Sequence, residues 1–211
     1  MIEDLVNELF KEWFQVQEIR TRLQKQFNVY GMEVIFVHEL TRCKLKADYM
    51  RNVKTIEEFR EITLKSNFNL MIIGSIIDRG IKDILKEKKY KLYMKRLTIT
   101  NKDLDIDFLI LGTPDIVKNS EVIEVKYTVS KLPKLKPAYE IQGKIYGWLL
   151  EVPEVKILVI NGKGLMNIYT VKSFTEKEMK EHILNWWKKQ PLHENECKYC
   201  PFKNYCIQVK H

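Results

Sequence analysis

The feature that most constrains this chain is a short apolar strand that carries a charged pair. Val122-Ile123-Glu124-Val125-Lys126-Tyr127-Thr128 is β-branched and apolar except at Glu124 and Lys126. Side chains alternate between the two faces of a strand, so Glu124 and Lys126 project together while Val125 points away. An earlier run, Phe108–Leu111, reads as a second strand, and the polar turn Lys118-Asn119-Ser120 lies between the two. If they pair, Asp115 comes within reach of the same face. Two carboxylates beside one lysine make little sense in an apolar interior, where an unpaired charge loses its hydration. They suit a divalent metal: hard cations bind carboxylate oxygen, and the lysine can orient or deprotonate an attacking water. A surface salt bridge between Glu124 and Lys126 satisfies the E-x-K pattern by itself equally well.

Upstream the chain reads as helical. Leu9, Phe10, Trp13, Val16, Ile19, Leu23 and Phe27 recur at helical spacing and predict a long amphipathic helix over residues 2–27, ended by Gly31. Met32–Val37 suits a short strand. A second helix is expected from His38 to Tyr49 with Cys43 in its early turns, and His38 fits a capping or surface role as well as a ligand. Thr55-Ile56-Glu57-Glu58 is a capping-box pattern and opens a third helix. A fourth is expected over about Leu70–Glu87, with Asp78 beside its apolar face of isoleucines.

Strands are expected over Lys91–Ile99, Asp105–Leu111 and Val122–Thr128, then a helix over Ala138–Leu150. Gln142 and Tyr146, four apart, share a face of that helix. Strands Val155–Ile160 and Met166–Val171 flank the turn Asn161-Gly162-Lys163-Gly164. Thr175-Glu176-Lys177-Glu178 caps a last helix containing Trp186 and Trp187. Lys131, Lys134 and Lys136 stand beside Pro133 and Pro137, which prevent regular structure; this basic loop suits a passing phosphate backbone or a solvated linker. The pattern is α/β: a mixed sheet flanked by helices. A helical N-terminal lobe (1–69) precedes the core (70–190), and a cysteine-rich tail (191–211) follows it.

Composition narrows the partners. Lys+Arg 36 against Asp+Glu 28 gives a net charge of +8, which favours an acidic partner, most simply nucleic acid. No uncharged apolar run is long enough to span a membrane, and the acidic start Met1-Ile2-Glu3-Asp4 lacks a signal-peptide pattern. A cytoplasmic location is therefore expected. There Cys43, Cys197, Cys200 and Cys206 are expected to be metal or cluster ligands rather than disulfides. Four thiolates suit tetrahedral zinc or a [4Fe–4S] cluster.

Gly74-x3-Asp78, Gly112-Thr113-Pro114-Asp115, Glu124-Val125-Lys126 and Gln142-x3-Tyr146 resemble, in order and spacing, the RecB-like nucleases of the PD-(D/E)xK superfamily. With Cys43 and Cys197-x2-Cys200-x5-Cys206, the set resembles the CRISPR-associated RecB-like iron–sulfur nucleases, the fourth Cas family, over roughly residues 35–206. The resemblance implies that Asp115 and Glu124, with Asp78, hold Mg²⁺ or Mn²⁺, that Lys126 helps activate water, and that Gln142 and Tyr146 steady the site or the DNA. It implies a structural [4Fe–4S] cluster on Cys43, Cys197, Cys200 and Cys206. It further implies exonuclease action on single-stranded DNA ends, trimming spacer precursors beside the CRISPR integrase complex, with oligomers allowed. The alternatives are a stand-alone recombination or viral nuclease and a catalytically weak DNA-binding subunit. One position departs: the family commonly has histidine where this chain has Asp78.

Overall fold

Helix α1 (Ile2–Asn28) ends at Gly31, whose φ of 72° lies in the left-handed region that a glycine tolerates. The chain then enters β1 (Met32–Phe36). The computed structural model describes residues 2–28, 30–65, 72–77, 80, 91–100, 105–129, 134–189, 191–192, 196–198, 200–203 and 206. After β1 come α2 (Lys44–Arg51), α3 (Ile56–Lys65), β2 (Tyr93–Thr100) and β3 (Asp105–Gly112). The hairpin β4 (Ile116–Lys118) and β5 (Glu121–Thr128) precedes α4 (Pro137–Leu150), β6 (Glu154–Asn161), β7 (Met166–Lys172) and α5 (Glu176–Trp187). Residues 72–77 are helical; the remainder of the helix expected over Leu70–Glu87, Asp78 included, lies outside the described residues except for Gly80.

The mixed α/β fold has two mixed sheets, ordered β1-β3-β2 and β4-β5-β6-β7. β1 runs parallel to β3 and β2 antiparallel to it. The near-continuous apolar runs of β1 and β3 reflect burial on both faces. Val34, Phe36, Leu109 and Leu111 turn towards Leu23 and Phe27 of α1. Ile35, Phe108 and Ile110 turn the other way, into a larger core shared with Ile145 of α4, Ile157 of β6, and Met179, Ile183 and Trp186 of α5. In the second sheet β5 and β6 are parallel, and parallel neighbours need a crossover, which α4 supplies.

Phe108–Leu111 and Val122–Lys126 do not pair with each other, yet Asp115 still reaches the face of β5. A strand has two hydrogen-bonding edges, and those of β3 are filled by β1 and β2. Those of β5 are filled by β4 and β6. The β4–β5 turn places Asn119 and Ser120 at φ 51° and 63°, the left-handed pair that matches the twist of a tight hairpin. A second correction concerns α2, which starts at Lys44 rather than His38, so Cys43 is its N-cap residue. The turn before it is held from outside. Trp186 Nε1 donates to the carbonyls of Glu39 and Arg42 at 3.0 Å each, and the His182 ring meets the Leu40 carbonyl at 2.9 Å. The capping box at Thr175 forms as its sequence predicts.

Candidate active site

The first sheet hands the chain to the second at Gly112. A Cβ there would lie 2.7 Å from both Tyr146 Cε1 and Val37 Cγ2, so only glycine lets α4 press against this bend. The bend carries Asp115 onto the face of β5. The Asp115 backbone N–H donates to Glu124 Oε1 at 3.1 Å, and the Val125 N–H donates to Asp115 Oδ2 at 2.8 Å. Asp115 is thus held by a backbone N–H of β5, and Glu124 by the backbone N–H of Asp115 in the bend before β4. Lys126 Nζ donates to Glu124 Oε2 at 2.7 Å and stands 3.9 Å from Asp115 Oδ2. Glu124 and Lys126 do share a face, and the Glu124 side chain is 1% exposed.

Burial, and then the charge of Asp115, push the Glu124 carboxyl up to about 7 against the pull of Lys126. Burial works against a charged Lys126, but Glu124 and Asp115 outweigh it and raise its pKa. Lys126 is therefore a charged donor here. Burial also holds the Tyr146 hydroxyl well above its ordinary value, reinforced by Glu124 and Asp115 and opposed by its hydrogen bond with Gln142. Asp115, Glu124, Lys126, Gln142 and Tyr146 are thus brought together. Asp78 lies outside the described residues, and among those described no group of three or more His, Cys, Asp or Glu side chains is placed to hold a metal ion. In the basic loop, Lys131 is outside the described residues and Lys134 is exposed. Lys136 is the N-cap residue of α4, its Nζ 5.4 Å from the Tyr139 ring centroid.

A cleft of about 560 Å³ opens here, lined by Thr113, Gln142 and Tyr146 on one side and by Trp13, Arg20 and His38 on the other. A second, of about 440 Å³, continues along Trp13, Arg20, His38, Glu39 and Arg42. Sequence reasoning did not find this wall. Its one signal is positional: Arg20 and Gln24 interrupt the stripe of α1 that carries Trp13, Val16 and Phe27. Glu39, buried at 5% exposure, accepts from Arg51 Nε and Nη2 at 2.7 and 2.9 Å, from Gln24, and from the Phe36 N–H at 2.8 Å. His38 Nε2 lies 3.4 Å from Arg20 Nη1. Burial and the cations Arg20, Arg42 and Arg51 keep its pKa well below the ordinary value, so it is neutral.

The cysteines gather elsewhere. Cys43, Cys197, Cys200 and Cys206 are free thiols that line one cavity of about 20 Å³, with Lys46, Tyr49, Glu196 and Phe202. The Cys43 N–H donates to Glu196 Oε1 at 2.5 Å, and Leu192 N–H to Glu196 Oε2 at 2.8 Å. Tyr49 stacks on Phe202 with ring centroids 5.1 Å apart. The tail folds back on the start of α2. Glu196, a residue the sequence did not single out, is its clasp.

The crystal structure of SSO0001 is similar to this chain, with a TM-score of 0.66 and 21% identity over 91% of this chain and 96% of that one. The two share the fold. The crystal structure of an alkaline exonuclease (LHK-Exo) from Laribacter hongkongensis matches at a TM-score of 0.40 and 10% identity, over 88% of this chain and 99% of that one, too remote to carry an argument. No family model matches the sequence. No curated protein matches it either. No helix among the described residues is long and apolar enough to cross a membrane.

Proposed function

We propose that the chain is a divalent-metal-dependent DNA nuclease, an exonuclease acting on single-stranded ends. The observation that carries this reading is the reciprocal lock of Asp115 and Glu124 with Lys126, beside a cleft bordered by Thr113, Gln142 and Tyr146. The donor set fits Mg²⁺ or Mn²⁺: two oxygen ligands are preset, and a cation would favour the charged form of Glu124 that burial now opposes. Asp115 and Glu124 would hold it, with Asp78 as the further carboxylate. A bound ion supplies an acidified water and neutralises charge on a phosphate oxygen. Lys126, as a charged donor, holds Glu124 in place and adds positive charge where the phosphate becomes more negative. Gln142 and Tyr146 supply polar groups at the cleft wall. The net charge of +8 supports a nucleic-acid substrate.

The four thiols border one cavity and match a [4Fe–4S] cluster or zinc in donor type, although as placed no three of them are set to hold an ion. The one-plus-three arrangement of cysteines, read with the motif order, favours the cluster, in a structural role. The same motif order supports a place in CRISPR adaptation beside the integrase complex, in the cytoplasm. A catalytically weak DNA-binding subunit is the second reading, favoured by the aspartate at position 78.

Incubating a labelled single strand with the protein in Mg²⁺ or Mn²⁺ tests this. Progressive shortening from the end, abolished by a chelator, is expected. An intact strand with every divalent metal overturns the enzyme reading and leaves the binding subunit. Zinc without iron on elemental analysis removes the cluster.

A further inference from the structure

The two adjoining clefts are bordered by two arginines, Arg20 and Arg42, that feel the charge of Glu39, and in the case of Arg42 also of Glu196, without a direct ion pair among the described residues. Both are half-buried. The nearest acid, Glu39, is committed to Arg51, Gln24 and the Phe36 N–H. Among the described residues Arg20 contacts the ring nitrogen of His38 at 3.4 Å and the Phe36 ring at 5.4 Å, and feels Glu39 without hydrogen-bonding it. Arg42 donates its Nε to the His38 carbonyl at 3.0 Å. Placing guanidinium groups out of water without an anion is costly, and their planar forks match the oxygens of a phosphate.

We propose that Arg20 and Arg42, both in contact with His38, form a phosphate-binding subsite for the nucleic-acid strand, separate from the carboxylate site of Asp115 and Glu124. Continuity of the cleft supports this. Arg20 and His38 share the larger opening with Gln142, Tyr146 and Thr113, and Thr113 is two residues from Asp115. Tyr146 feels the charges of Glu124, Asp115 and Arg20, so the carboxylates and Arg20 both lie within electrostatic reach of one cleft residue. Trp13 lines both openings and offers a ring on which an unpaired base can stack, which suits a single strand. The nearby His38 adds a polar ring without a third charge.

The subsite deepens the nuclease reading but is tested apart from it, by binding in a chelator. Anisotropy of a labelled single-stranded oligonucleotide is measured across a salt series for wild type, Arg20→Met and Arg42→Met. Each variant is expected to raise Kd about tenfold and to flatten the dependence of log Kd on log salt by about 0.7, the value for one single-strand phosphate contact. A merely structural arginine would leave that slope alone. Unchanged affinity and slope overturn the proposal. If wild type cleaves nothing yet binding needs both arginines, the subsite stands and the nuclease reading falls. A 5′-phosphorylated strand and its 5′-hydroxyl counterpart separate two sources. Tighter binding of the phosphorylated strand, lost in the variants, assigns a terminal phosphate; equal binding assigns an internal one. Should a variant fail to fold, arginine labelling of the native protein with phenylglyoxal, mapped by peptide mass, decides. Protection of Arg20 and Arg42 by the oligonucleotide is expected, and labelling unaffected by the strand, or no labelling in the free protein, overturns the subsite.

Discussion

The carboxylate site and the cysteine clasp are built over opposite ranges of sequence. Asp115, Glu124 and Lys126 are joined by hydrogen bonds spanning 2, 9 and 10 residues, within one hairpin and the bend before it. The clasp is joined by bonds spanning 146 and 153 residues, from Cys43 to Lys189 and to Glu196. A short loop is cheap to close, so the first arrangement forms with its hairpin. The second waits for α5 and the tail to return, and non-local contacts form only after that ordering. Damage to the first site should therefore appear in chemistry, and damage to the second in stability.

Lys126→Ala should show the largest effect, a fall in turnover of roughly 10²-fold or more with DNA affinity nearly intact. The melting temperature should change little, because Glu124 escapes a bare buried charge by taking a proton. Steady-state kinetics beside calorimetry checks this; a stability loss as severe as the catalytic one would break the contrast.

The charge of Glu124 should appear as a pH dependence of stability in metal-free protein. Its carboxyl is raised from 4.5 to about 7, so the fold disfavours the charged form. Below pH 4.5 the group is protonated whether folded or not, and its penalty is absent. The penalty accrues as pH rises and is complete above about pH 7, costing at most a few kcal/mol. Melting curves should show wild type losing stability relative to Glu124→Gln across that window in a chelator, with Mg²⁺ restoring it. Parallel curves for the two proteins would show that the pair carries no such penalty.

Glu196→Ala leaves the buried N–H of Cys43 and that of Leu192 without their acceptor and should cost about 1–3 kcal/mol in denaturant unfolding. Turnover per folded molecule should be unchanged; a specific loss of turnover would join the two regions that the fold keeps apart. The smallest effect belongs to the basic loop. Changing Lys131, Lys134 and Lys136 to glutamine should weaken DNA binding severalfold at low salt and reduce its salt slope, without altering turnover at saturating DNA.

Much of the site is legible because its information is local. The two-residue period of a strand places Glu124 and Lys126 on one face, and the Thr175 box caps α5 through groups three residues apart. The helical stripes announce α1 and α4 for the same reason. The tertiary structure alone decided which strands meet, since both edges of β3 and β5 are taken by partners that their own sequences do not name. It also held α2 back to Lys44, by spending the carbonyls of Glu39, Leu40 and Arg42 on Trp186 and His182. It brought Arg20 of α1 to the cleft, and it closed Glu196 over Cys43. Periodicity reports which face of an element is apolar; which distant group fills a given donor, acceptor or strand edge is settled only when all the elements compete for it at once.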